Sequence, residues 1–248
     1  MTTRPALLAL ALAAALAVPS PGRAQSKADA FAGRIPPVSG QLYRKAGRLE
    51  ATLTGNLSLN DPFFSKYFGG LKLGYHFTEF LSVSAHGAAG PSRKTGSTVL
   101  CPTNEPCRDA TDIQLFQVPG EIEWLAGLEV AWSPVYGKLN VLSEQVAHFD
   151  LSILAGGDWI AHREAVSREA ALAFEASGGS PATVGTYGGH VGLGARVFLA
   201  QWIALRLEVK DYLYRADVPN NGGKSLQNQL FTELGVSFFL PGRNRPLR

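Results

Sequence analysis

Charge is what this 248-residue sequence has least of: Asp, Glu, Lys and Arg make up 17%, against roughly a quarter in ordinary globular proteins. With 46% hydrophobic residues, the deficit does not signal disorder, because enough apolar material remains to be buried. Net charge is small too. The formal +3 includes Arg4 and Arg23 of a leader, and the remaining 21 basic residues against 20 acidic ones leave +1, so no nucleic-acid footprint is visible and no nucleic-acid partner is expected. Two cysteines are too few for a disulfide framework or a four-cysteine metal centre. Beyond the leader no apolar run approaches the ~20 residues of a membrane helix. Nucleophile elbow, phosphate loop, HExxH and paired CxxC are all missing. The sequence therefore assigns no catalytic, cofactor-binding or metal residue, and predicts no enzyme. What it has in excess is glycine, at 27 residues.

The first 24 residues read as a signal peptide. Arg4 gives a positive start, Ala6 to Val18 an apolar run, and Gly22-Arg23-Ala24 small residues at −3 and −1 of a cleavage site. No cysteine follows the cut, which argues against a lipoprotein. Residues 25–47, irregular and containing Pro36-Pro37, are expected to be a periplasmic linker. Export suits Cys101 and Cys107, which stand in a Pro-, Thr- and Asn-rich segment and are expected to form a disulfide closing a tight surface loop.

After the linker the hydrophobic period is two. Leu49, Ala51, Leu53, Gly55, Leu57 and Leu59 alternate with Glu50, Thr52, Thr54, Asn56 and Ser58, which is a strand with one greasy and one polar face. The same alternation recurs over Gly70 to Phe77, Leu81 to His86, Ile122 to Trp132, Asp150 to Trp159, His190 to Leu199, Ile203 to Lys210 and Gln229 to Leu240. Eight strands joined alternately by short and long connections predict an all-β fold, an eight-stranded antiparallel up-and-down transmembrane β-barrel with long extracellular loops. The barrel domain is bounded at 48–240, with a C-terminal tail at 241–248. Short turns are expected near Thr78 and Gln201, and extracellular loops over 60–68, 88–119, 161–186 and 215–227. Residues 133–148 are too long for a short turn and are expected to hold a short helix or plug-like fold. The 161–176 stretch is helix-prone, or a place where strands run past the membrane.

A soluble lipocalin-like barrel would point the apolar face inward. Magnitudes favour the opposite sense, because a midplane Arg or Lys facing lipid costs about 2–4 kcal/mol. Glu50, Lys72, Glu121, Glu123, Glu129, Asp150, Asp158, Arg196, Arg206, Glu208, Lys210 and Glu233 all share the polar parity and are expected in the lumen. Of these, Lys72, Arg196, Arg206 and Lys210 are expected to pair with Glu50, Glu129, Glu208 and Glu233 as a luminal charge network. Glu121, Glu123 and Asp158 would remain as hydrated, protonated or cation-bound carboxylates of a solvated rim. His76, His86 and His190 share the luminal parity, but differing heights on their strands argue against their convergence. Ser84 and His86 have same-face spacing without further support for catalysis. An eight-stranded lumen is just filled by its side chains, so a plugged barrel is expected. Trp124, Trp132, Trp159 and Phe238 are expected to form an aromatic girdle on the lipid face. Glu233-x-Gly235-x-x-Phe238-x-Leu240 resembles the terminal-strand signal that β-barrel assembly machinery reads.

The ordered motifs resemble the outer-membrane β-barrel domain family of myxobacteria and their relatives. They are Gly47-Arg48-Leu49-Glu50, Asn60-Asp61-Pro62-Phe63-Phe64-Ser65-Lys66-Tyr67, Gly74-Tyr75-His76-Phe77-Thr78-Glu79, Pro134-Val135-Tyr136-Gly137-Lys138-Leu139-Asn140, His148-Phe149-Asp150-Leu151 and Asp211-Tyr212-Leu213-Tyr214. The resemblance implies outer-membrane residence and a small barrel. The expected role is structural or interactive, with outer-membrane lipid, the assembly machinery and an envelope protein complex as partners. The alternatives are a small-ligand binding or narrow transport barrel and, further off, an outer-membrane lipid-modifying enzyme.

Overall fold

A computed structural model describes residues 43–101, 103, 106–118, 121–141, 145–218 and 223–240. The expected signal peptide, most of the linker and the C-terminal tail lie outside the described residues. The strands are β1 (Leu49–Ser58), β2 (Phe64–His76), β3 (Leu81–Ala89), β4 (Ser92–Lys94), β5 (Val99–Leu100), β6 (Arg108–Asp109), β7 (Ile122–Val141), β8 (Gln145–Arg163), β9 (Thr183–Ala200), β10 (Ile203–Val218) and β11 (Gly223–Phe239). Eight of them form a ring in the order β1-β2-β3-β7-β8-β9-β10-β11, each antiparallel to both neighbours, and β11 pairs back onto β1. The fold is the eight-stranded up-and-down barrel that the alternation predicts.

Strand tilt follows from the register. Stepping through cross-strand partners from Ser58 by way of Phe231, Lys210, Gly192, Leu154, Ala131, Ser82 and His76 ends at Arg48, whose carbonyl accepts the His76 N–H at 3.0 Å. The ring thus closes with a stagger of ten residues, from 58 to 48, which corresponds to a tilt of about 40°.

Three expectations need correction. The described residues of 133–148 form neither helix nor plug; β7 and β8 continue as paired strands, with Val135 opposite Leu151 and Val141 opposite Gln145. A bulge between Trp132 and Val135 carries Pro134 and shifts the parity, which hides the alternation from a period-two reading. Loops 60–68 and 215–227 are mostly strand, since β2 begins at Phe64 while β10 runs to Val218 and β11 starts at Gly223. Ile122 does not share the outward face of Trp124, because a second bulge between them turns it into the lumen, where it is fully buried. The 161–176 stretch contains both of its expected alternatives, with β8 running to Arg163 and a helix over Arg168–Ser177. Ser167 caps that helix and Gly178 ends it in the left-handed region. Glu169 in its first turn is held below the ordinary carboxylate range by the backbone N–H and the Ser167 hydroxyl.

Burial is inverted relative to a soluble barrel. Leu53, Leu73, Leu128, Leu193 and Leu234 on the outside are each more than half exposed, whereas Glu50, Lys72, Glu129, Glu208 and Lys210 inside are each at most 3% exposed. The lumen is stacked in layers. Phe68, Ile122, Leu125, Ile160, Tyr212, Tyr214 and Phe231 form an apolar roof. Phe198, Ala204 and Phe239 form a floor with Tyr43 and Tyr136. Charged side chains occupy the space between.

The end of the expected linker belongs to that floor. Tyr43 stacks on Phe198 at 5.3 Å, and Lys45 donates to Asp150 at 2.6 Å. Burial pushes the Lys45 ammonium below its ordinary pKa, against the opposing pull of Asp150. Arg48 ties the seam from outside by donating to the carbonyls of Gln201 (2.8 Å), Phe239 (3.2 Å) and Leu240 (3.2 Å).

At the opposite end the β3–β7 connection folds into a lobe. β4 pairs with the start of β2, and Phe64, Ala110 and Leu115 pack together with Val118. Cys101 and Cys107 are disulfide-bonded at the tip of the β5–β6 hairpin. A closed loop this short contributes at most roughly 2 kcal/mol, and only to the local opening of the lobe. Cys101→Ser/Cys107→Ser is therefore expected to leave the thermal transition of the barrel unchanged while protease cleavage within 95–110 speeds up.

Candidate functional site

The luminal network is built by strand alternation, which aims every second side chain of β1, β2, β7, β9, β10 and β11 at one axis. Glu50 receives Arg206 at 3.0 Å on one oxygen, and Arg196 at 3.0 Å with His76 at 2.7 Å on the other. Lys72 reaches Glu208 (2.6 Å), Glu129 (3.1 Å) and Glu233 (3.4 Å). Lys210 reaches the same three carboxylates, at 2.8, 2.9 and 3.1 Å. Arg206 also pairs with Glu208. Asp150 joins from below, shared by Lys45 and Arg196. Register alone sets Arg206 opposite Arg196 and Glu208 opposite Glu233, which is repulsive between neighbours on one sheet. Closure of the barrel adds partners from more distant strands, Glu50 for Arg206 and Glu208 for Lys72, to local pairs such as Asp150 with Arg196 and Glu208 with Lys210.

Among the described residues, the lumen between floor and roof holds five bases (Lys45, Lys72, Arg196, Arg206, Lys210) and six carboxylates (Glu50, Glu129, Asp150, Asp158, Glu208, Glu233), all buried. With neutral histidines the balance is −1. Two histidines converge on this interior where sequence reasoning expected no convergence. His86 Nε2 is 2.9 Å from Asp158 Oδ1, His190 Nδ1 is 2.7 Å from Asp158 Oδ2, and His190 Nε2 is 3.2 Å from Glu129. Both ring nitrogens of His190 therefore face carboxylates. His86 Nδ1 is buried without a hydrogen-bond partner. His76 stays apart, on Glu50.

The convergence follows from register. His86 and Asp158 are both cross-strand partners of Gly127, and His190 is a partner of Gly156. A Cβ at Gly127 would overlap Asp158, and one at Gly156 would overlap the His190 ring and the Leu128 carbonyl. The readable signal was a glycine on the luminal parity of the strand between two polar side chains. Gly156→Val is expected to cost about 1–3 kcal/mol through overpacking, and a lower urea midpoint for the detergent-folded barrel would show it.

The remaining assigned residues lie elsewhere. Glu121 and Glu123 meet Arg163 at 3.0 and 3.4 Å at the roof end, a partner the parity reading missed. Asp61, in the Asn60-to-Tyr67 motif, pairs with buried Lys66 and accepts the N–H groups of Phe63 (2.8 Å) and Phe64 (2.9 Å). Ser84 donates to Glu129 rather than joining His86 in a nucleophile pair. On the outside, Trp124 and Trp159 lie toward the roof, with Tyr187 edge-on to Trp159 at 4.5 Å. Trp132, opposite Leu81, and Phe238, stacked with Trp202 at 6.2 Å, lie toward the floor. In the terminal-strand signal, Glu233 points into the network, Gly235 gives room to Thr52, and the Leu240 N–H bonds Leu49 O at 2.9 Å, at the seam where the last strand closes on the first.

No protein-family model matches the chain. No curated protein matches it either. Among solved structures, the N-terminal β-barrel domain of Pseudomonas aeruginosa OprF overlaps 79% of this chain and 98% of its own, at 9% identity and a TM-score of 0.46. The outer membrane protein OprG of the same species overlaps 79% and 97%, at 12% identity and 0.43. Ail of Yersinia pestis overlaps 78% and 97%, at 7% identity and 0.35. The barrel assignment rests on the strand ring itself.

Proposed function

We propose that the chain is an integral outer-membrane β-barrel, exported by its leader, that conducts no general flux and serves as a fixed platform for other envelope components. The inverted burial carries this reading. A band of exposed leucines encircles a buried ionic interior, an arrangement that water penalises and lipid favours. Two aromatic belts edge the band. Trp124 and Trp132 stand eight residues apart on one strand, about 26 Å of chain and about 20 Å of height at this tilt.

A transport role is disfavoured by the apolar roof and floor, between which the described ionic side chains are buried. A soluble carrier for an apolar ligand is disfavoured because the lumen offers salt bridges where such a ligand needs hydrocarbon. What remains available to partners is the disulfide-bearing lobe at one end and the β7–β8 hairpin at the other. The motifs that resemble the myxobacterial barrel family fit this assignment, since Asp61, Glu79 and Asp150 each hold a turn or the floor in place.

The test is membrane fractionation with heat-modifiable gel migration, together with planar-bilayer recording. Recovery in the outer membrane, a boiled and unboiled mobility difference, and no stable conductance are the expected results. Recovery in the periplasmic extract, or a steady open channel, would overturn the proposal.

A further inference from the structure

We infer that His86, Asp158 and His190 form a binding site for one divalent transition-metal ion of the zinc class, enclosed within the lumen. One ligand atom from each residue lies within 4.8 Å of the others, and all three side chains are buried. Ligands about 2.1 Å from a tetrahedral ion stand about 3.4 Å apart. The present separations, 2.9 Å from His86 Nε2 to one Asp158 oxygen and 2.7 Å from His190 Nδ1 to the other, widen to that spacing with a shift of about half an ångström.

The surroundings are those of a metal centre. Glu129 faces the far nitrogen of His190 at 3.2 Å, the carboxylate–histidine–metal arrangement that fixes a tautomer and leaves Nδ1 free to coordinate. Two imidazoles with one carboxylate select zinc-class ions over calcium or magnesium, which take oxygen ligands. Among the described residues the interior is one positive charge short with neutral histidines, so the cluster attracts a cation. Gly127 and Gly156 clear the space in which the three ligands meet. A bound ion would tie β3, β8 and β9 across the level of Gly127 on β7.

Roof and floor close the lumen, so the ion is taken up as the barrel folds. The test is to refold the chain from urea into detergent micelles with and without zinc, dialyse against EDTA, and measure metal by elemental analysis, using heat-modifiable migration to verify closure of each sample. The native sequence is expected to retain about one zinc per barrel, and His86→Ala and Asp158→Asn less than about a tenth of that. His76→Ala, which alters a luminal histidine outside the cluster, should retain it in full. Cobalt refolded in place of zinc should give the visible absorption of a low-coordinate nitrogen and oxygen site in the native barrel, and none in His86→Ala. Native barrels that close but retain no more zinc than His86→Ala would overturn the inference, and so would equal loss in His76→Ala.

Discussion

Replacing Glu50 with leucine is expected to lower the unfolding free energy of the folded barrel by roughly 3–5 kcal/mol, the usual cost of removing one partner from a buried ion pair. Glu50 is the only carboxylate within ion-pair distance of both Arg196 and Arg206 among the described residues, and it holds His76 as well. Its loss leaves Arg196 with Asp150 and Arg206 with Glu208, so each guanidinium keeps one partner and loses the other. The residual positive charge lies above the buried apolar floor of Phe198, Ala204 and Phe239, where a charge is costly. Urea titration in micelles, followed by the heat-modifiable band, measures the effect. Glu121→Gln is the comparison: its partner Arg163 is partly exposed, and a pair of that kind contributes about 0–1 kcal/mol. Equal midpoints for the two variants would mean that the ionic interior adds nothing to stability.

Much of this architecture was legible because alternation is a local signal. The polar parity of Ile203 to Lys210 identifies Arg206, Glu208 and Lys210 as one face without any knowledge of neighbours, and barrel closure then leaves that face only one interior to enter. Features that depend on the register between strands were not legible. His86 and Asp158 lie 72 residues apart, and only their shared pairing with Gly127 puts them at one level. Bulges were hidden for a related reason. One extra residue at Ser133-Pro134 reverses the parity of everything after it, so Val135 to Val141 reads as irregular although it is strand. Lys45 lay in a segment read as linker, where no period flags a residue that will be buried against Asp150. Roof and floor escaped notice because Tyr212, Phe231, Phe198 and Phe239 occupy the same parity as the charges, and which luminal residues seal the ends depends on strand stagger.

Leu128→Arg separates lipid from water as the medium around the barrel. Leu128 is 63% exposed on the outer face, four residues from Trp124 and four from Trp132 along β7, midway between the two aromatic belts. If lipid surrounds it, the guanidinium sits near the bilayer midplane and the folded barrel loses about 2–4 kcal/mol, whereas Leu226→Arg, beyond the roof end of the band, costs about 0–1 kcal/mol. Were water the solvent, replacing an exposed leucine with arginine would relieve an apolar patch, and both variants would fold as well as the parent or better. Folding the three chains into vesicles and comparing their urea midpoints gives the answer. The expected order is parent, then Leu226→Arg close behind, then Leu128→Arg clearly lowest. Because neither residue touches the luminal network, a depth-dependent penalty can come only from the outer surface, and its absence would return the chain to the class of soluble barrels despite its ionic core.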